Sequence, residues 1–465
     1  MSIVFGNYTP PKKVLKTLDL AIGIFFDGTN NNMNNTNAKE YYDRRARGER
    51  LTPKEEISAE AYRKNGKDDK SSSYYNAWSN VARLYDAYYP ANLAVYVDGI
   101  GTETEKTDSV LGAGLGTGFI LNGTGILGKV EEGCKNLADR IVRISKTKNK
   151  EIPILYLDVF GFSRGAAAAR VFLNEISLKA FPLSVNRKNK GGYLGYLLAE
   201  NGIKVSLIKV RFLGLFDTVS SYSEGITVNP DFDNDTKELP LNNLAKAKTV
   251  MHFTASDEHR KNFSLTKTRV GKEREFPGVH SDVGGSYNDG FEVVKAIEKN
   301  NKEELEKLSQ TLVNKSWYLE DQLEISFFGP VHELMGIREL KKTYSYIPLH
   351  FMAESAIATQ KIPFNMTKLK TNKYNISNDA LLMRVKKRLR DYVLGEGKPY
   401  TFKWYGDIHE KYKGVQEGDR NFGAYQQEVQ EQKDLRKLRN QYLHWSADCG
   451  SLGMEPAKDR KRKTF

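Results

Sequence analysis

The chain has 465 residues, of which 39% are hydrophobic and 28% charged, enough to bury a sizeable core and far from the composition of a disordered chain. Its two cysteines, Cys134 and Cys449, exclude a disulfide framework and a cysteine-rich zinc site. The balance of 71 basic against 58 acidic side chains, +13 net, points to an anionic partner, nucleic acid or a membrane surface, without choosing between them.

Met1 to Leu20 holds lysines and prolines but no apolar run of signal-peptide length, and no run of about 18 apolar residues follows. The expectation is synthesis in the cytoplasm without a signal peptide. The run from Asp19 to Phe26 is short, apolar and branched, ends at Asp27-Gly28-Thr29-Asn30, and reads as a buried strand entering a turn. Residues from about 38 to 75 are charged and polar and read as a surface insertion. Leu93 to Val97, followed by Asp98-Gly99, is a second strand and turn. Leu111 to Gly128, with seven glycines among small and apolar residues, reads as a loop, with a lid as the functional alternative. Val130 to Lys146 has helical spacing, placing Val130, Cys134, Leu137, Ile141 and Ile144 on one face. Ile152 to Phe160 is nearly all apolar, as in a strand covered on both sides. Ala166 to Ile176 is a strong helix former, and Val205 to Phe216 is again a buried strand. His252 and His259 are placed in a helix. This alternation predicts a parallel α/β sheet. Beyond about Asn300 charged amphipathic helices predominate, with few convincing strands.

The charge excess is concentrated in two clusters. Arg384, Lys386, Lys387, Arg388 and Arg390 stand beside Asp391, and Lys458, Arg460, Lys461, Arg462 and Lys463 surround Asp459, each cluster carrying +4. With no zinc finger or RNP-type motif beside them, nucleic acid is not expected, leaving a solvated helix face and tail or a surface that attracts anionic lipid.

Gly161-Phe162-Ser163-Arg164-Gly165 fits G-x-S-x-G. Its setting, an apolar strand before and an alanine-rich helix after, is that of a nucleophile elbow, where a strained turn exposes the serine hydroxyl at the carboxyl edge of a sheet. A serine needs a base and an orienting carboxylate, and in this fold they follow it in the order acid, then histidine. His280, in the glycine-flanked Phe276-Pro-Gly-Val-His-Ser-Asp-Val-Gly-Gly285, suits a loop at the sheet edge. Asp217 ends an apolar strand 54 residues after Ser163, and Asp282, two residues from His280, competes with it for the acid's role. For the oxyanion, one donor is the backbone N–H of Arg164 and the other comes from the Asp27-Gly28-Thr29 turn, through Gly28 or Thr29. The mechanism requires no metal or cofactor.

With these residues in place the sequence resembles the DUF2235 group of α/β-hydrolases, and within it the Tle1 family of type VI secretion lipase effectors. The resemblance rests on Phe25-Phe-Asp-Gly-Thr-Asn-Asn31, Tyr96-Val-Asp-Gly-Ile-Gly-Thr102, Gly161-Phe-Ser-Arg-Gly-Ala166, Phe212-Leu-Gly-Leu-Phe-Asp-Thr-Val219, the segment around His280, and Ser451-Leu-Gly-Met-Glu-Pro456. It implies an α/β-hydrolase fold with a mainly parallel sheet, and phospholipase A activity with Ser163, Asp217 and His280 as the catalytic residues. It also implies delivery by a VgrG-like spike protein to the periplasm of a rival bacterium, and a cognate immunity protein. The expected organisation is a catalytic domain over 1–300, a mainly helical cap or accessory region over 301–430, and a basic segment over 431–465 packing back on the catalytic domain. Two other readings stay open: a serine esterase or thioesterase acting on a soluble ester, and a non-catalytic component of a secretion machine.

Overall fold

The computed structural model describes residues 19–109, 124–148, 152–179, 192–220, 239–371, 373–451 and 453–465. The glycine-rich stretch read as a loop or lid lies outside the described residues up to residue 123.

Among the described residues, strands β1 (Leu20–Phe26), β2 (Ala94–Val97), β3 (Ile152–Phe162), β4 (Val205–Phe216), β5 (Ala247–Ala255) and β6 (Lys272–Phe276) form one sheet. Their order is β2-β1-β3-β4-β5-β6, and every neighbouring pair is parallel. Parallel strands need long crossovers, and helices supply them on both faces, so the central strands β1, β3, β4 and β5 are buried on both sides towards their carboxyl ends, whereas the edge strand β6 is largely charged. The pleat divides the side chains by kind. Ile22, Ile24, Leu157, Val159, Leu213 and Leu215 point into an aliphatic layer with the helices Ile126–Lys148 and Arg164–Glu175. Phe25, Phe160, Phe162, Phe212, Phe216 and Phe253 point into an aromatic layer on the other face. There the helix Tyr346–Gln360 closes the core, with every residue from Tyr346 to Ala353 buried. This is an α/β-hydrolase fold.

Two sequence expectations change. His252 lies in β5 and His259 in the loop after it, not in a helix. Val250 to Ala255 is buried on both faces, so it carries no period of two to mark it as a strand. The region beyond residue 300 holds strands as well as helices. In it β8 (Leu323–Phe328) and β9 (Val331–Leu340) pair antiparallel, and β9 also pairs with β7 (Gly290–Asn300), giving the order β7-β9-β8. The polar insertion and the residues just before it hold the helices Met33–Ala46 and Pro53–Asn65. Thr52 and Glu55 form a reciprocal cap at the second helix, and Ala38, Tyr62 and Tyr74 make a small separate core.

The basic clusters are also less free than their sum suggested. Arg384 pairs with Asp434 at 2.8 Å, Arg388 with Glu431 at 2.7 Å, and Lys386 and Arg390 both reach Glu354. In the last residues Arg460 pairs with Glu298 and Arg462 with Asp217. Six of the ten basic side chains in the two clusters thus face acidic partners within the fold. Among the described residues, no helix is long and apolar enough to cross a membrane.

Candidate active site

β3 runs straight into Ser163, and the helix Arg164–Glu175 begins one residue later. Ser163 has φ 58° and ψ −129°, a conformation that costs an L-residue of the order of 1–3 kcal/mol and persists only where the surroundings impose it. The surroundings do so. Ser163 N–H donates to the Phe216 carbonyl at 3.0 Å, while the Ser163 carbonyl accepts from Ala166 N–H at 3.0 Å and Val219 N–H at 3.3 Å. The glycines of the motif are there for close approach. A Cβ on Gly161 would lie 2.6 Å from Ala166 Cα, and one on Gly165 would lie 2.1 Å from the Asp27 carbonyl oxygen.

β4 delivers Asp217 just beyond its last residue, fully buried and at φ 43°. His280 follows β6 and opens a short helical turn, with its backbone N–H donating to Glu258 Oε2 at 3.1 Å. The two side chains meet, His280 Nδ1 lying 2.5 Å from Asp217 Oδ2. A carboxylate only accepts, so Nδ1 carries the proton and Nε2 is left as the base. Burial lowers the His280 pKa, against the opposing pull of Asp217, so the ring is neutral at neutral pH. Burial alone would raise the Asp217 pKa, but Arg462 and His280 hold its carboxyl far below the usual carboxylate range.

Ser163 Oγ and His280 Nε2 make no hydrogen bond among the described residues. They are connected through Phe162, which precedes Ser163 in the chain and packs its ring on His280 with centroids 4.6 Å apart. Serine–histidine contacts often tighten only when substrate binds. Asp282 does not reach His280. Its carboxylate is taken by His444, with Nδ1 to Oδ1 2.7 Å, and by the N–H groups of Val279 and His444.

Gly28 N–H donates to the Asp27 carboxylate at 2.7 Å, which removes Gly28 from the free donors. Asp27 also accepts from the Ser79 hydroxyl at 2.5 Å and the Tyr96 hydroxyl at 2.6 Å, and burial brings its pKa up to about 6 despite these bonds. The backbone N–H groups of Thr29 and Arg164 have no acceptor among the described residues. Arg164 Nε donates to Thr29 Oγ1 at 2.7 Å, fastening the two loops together.

Sequence reasoning missed several supports of this site. Arg462 grips Asp217 with two parallel bonds of 2.8 Å, Glu258 binds the His280 backbone and pairs with Arg260 at 2.7 Å, and His252 braces Thr218, the residue after Asp217, through Nε2. None has a local signal, since each comes from a distant part of the chain. A cavity of about 740 Å³ opens near Asp217, lined by Ala255, Glu258, Leu265, Tyr392, Trp445 and Arg462 among others. Ser163 and His280 are not in its walls, so it is not the place where an acyl group meets the serine.

Residues 198–313, which include Asp217 and His280, match the family model of the type VI secretion phospholipase effector Tle1-like catalytic domain. The chain is thus similar, over that segment, to a Tle1-like catalytic domain. Its fold matches that of the Tle1 effector bound to the VgrG spike of the type 6 secretion system, with 20% identity and a TM-score of 0.59 over 97% of this chain and 94% of that one. A looser likeness, with a TM-score of 0.39 and 19% identity, is to an uncharacterized protein from Pseudomonas aeruginosa, covering 91% of this chain and 60% of that one. No curated protein matches the chain. The Tle1-like segment begins after Ser163, so the serine's place rests on the elbow geometry.

Proposed function

We propose that the chain is a phospholipase A that hydrolyses acyl esters of glycerophospholipids with Ser163 as nucleophile, His280 as base and Asp217 as its orienting carboxylate. The observation that carries this reading is Ser163 held at positive φ between strand and helix, on the same sheet edge as a buried His280–Asp217 pair. His280 Nε2 takes the hydroxyl proton as Oγ attacks the acyl carbonyl, and the Arg164 and Thr29 N–H groups hold the oxyanion. His280 returns the proton to the leaving lysophospholipid, then activates water to release the fatty acid and free Ser163.

The Tle1-like match supports the substrate class, and the likeness to a spike-bound effector supports a VgrG-like carrier as partner. Delivery to the periplasm of a target bacterium and a cognate immunity protein belong to the same reading. We keep residues 1–300 as the catalytic unit, 301–430 as its accessory region and 431–465 as a segment docked on that unit.

The test is fatty-acid release from vesicles of phosphatidylethanolamine and phosphatidylglycerol. The wild type releases fatty acid and Ser163→Ala releases none above background. Equal rates in the two proteins would end the proposal.

A further inference from the structure

The last eleven residues lie against the segment that leads from β5 towards β6. Lys261 N–H donates to the Glu455 carbonyl and Ala457 N–H to the His259 carbonyl, while Leu265 exchanges backbone bonds with Lys463 and Phe465, each at 2.7–2.9 Å. Leu265 and Thr464 thereby form a parallel bridge. This pairing fixes Arg462, whose Nε donates to the Phe263 carbonyl at 2.6 Å and whose two terminal nitrogens each meet one oxygen of Asp217 at 2.8 Å. Both partners are buried, Arg462 to 8% side-chain exposure and Asp217 completely. Such a planar, two-pronged grip is a strong and directional form of charge pairing.

Asp217 therefore has four donors around it: Ala255 N–H on Oδ1, His280 on Oδ2, and one arm of Arg462 on each. A buried carboxylate with only a neutral histidine beside it would drive that histidine to take a proton, forming an imidazolium that cannot act as a base. A permanent guanidinium removes that drive and leaves the imidazole neutral. The other charged groups around His280 are Glu258, at its backbone, and Arg260, which pairs with Glu258; Asp282 on its own helical turn is occupied by His444.

We propose that Arg462, carried by the C-terminal segment, is a positioning residue that holds Asp217 in register and keeps His280 unprotonated as the base of the ester hydrolysis. This rests on the reading of Ser163, His280 and Asp217 as the catalytic residues. It assigns a function inside the site to a residue that composition alone places in a basic tail.

The experiment compares pH profiles of kcat/KM for fatty-acid release by the full-length wild type, Arg462→Gln, Arg462→Lys and Ser163→Ala, with folding checked by circular dichroism. Arg462→Gln moves the acidic limb up by about one pH unit, so its loss is several-fold on the acidic side and shrinks as the pH rises. Arg462→Lys keeps the charge and leaves the limb at the wild-type position. A Gln variant that is folded with an unmoved limb, or uniformly slower at every pH, overturns the proposal. Should Arg462→Gln fail to fold, the Lys variant decides, and an upward limb in that charge-retaining protein would also overturn it. Residual turnover in Ser163→Ala brings down the catalytic reading itself, whereas an inactive Ser163→Ala with unmoved Arg462 limbs brings down only the role of Arg462.

Discussion

Replacing Asp217 by asparagine tests the electrostatics of the site at its most constrained atom. All four neighbours of this carboxylate are donors, so whichever way the amide is turned its NH2 must face another N–H. The better orientation keeps the amide oxygen on Ala255 N–H and one arm of Arg462, which sets NH2 against His280 Nδ1. His280 then gives up its Nδ1 proton and carries it on Nε2, the nitrogen that should be the base. A histidine locked in the wrong tautomer costs about 10⁴ in kcat, or about 5.5 kcal/mol of barrier. The fold pays as well, since removing one partner of a buried ion pair destabilises by about 3–5 kcal/mol, and here toward the lower end because Arg462 keeps one acceptor. Initial rates of fatty-acid release at pH 8, corrected for the folded fraction by a thermal melt, give both quantities. A folded Asp217→Asn protein with kcat within tenfold of wild type would refute the assignment of Asp217 as the residue that orients His280.

Three further outcomes are expected. Asp282→Asn, which alters the carboxylate paired with His444 and not the one paired with His280, should lower kcat by less than about tenfold while costing about 1–3 kcal/mol in a denaturant melt; a loss matching that of Asp217→Asn would exchange their roles. Gly165→Ala drives a methyl to 2.1 Å from the Asp27 carbonyl oxygen, and the helix after Ser163 must shift, costing about 1–3 kcal/mol or more and most of the activity; unchanged activity would show that the elbow has slack. His350 is buried, with Nε2 on two carbonyls and Nδ1 against Lys386, and burial and that lysine depress its pKa to about 4. The unfolded chain takes up this proton near pH 6.5 and the folded chain only near 4, so the stabilisation is full above 6.5 and is lost as the pH falls towards 4, by about 3 kcal/mol in all. Urea melts from pH 8 to 4 should show that slope, and it should flatten in His350→Gln; an equal slope in both proteins would assign the acid sensitivity elsewhere.

Local chemistry made much of the site legible. The apolar run before Ser163, the alanines after it and the glycines around it dictate a strand–elbow–helix; Asp217 stands out because it ends an apolar strand, and His280 because it sits in a glycine-flanked turn. Two kinds of feature were hidden. The strand holding His252 is buried on both faces and carries no period of two, so it reads as a helix as easily. In β8 the alternation of Leu323, Ile325 and Phe327 with Glu324 and Ser326 was present, but short and set among charged helices. The second oxyanion donor could be narrowed to two residues in the turn; the side chain of Asp27 then occupies Gly28 N–H and leaves Thr29.

What the sequence determined by itself is whatever depends on neighbours along the chain: the elbow, the alternation of strands and helices, and the residue types available for acid and base. What only the tertiary structure decided is which charges meet. Arg462 lies 245 residues from Asp217, and the basic side chains of 384–390 find their acidic partners across helices and loops. Composition counts charges, whereas an ion pair depends on distance and burial, and both are set by the fold.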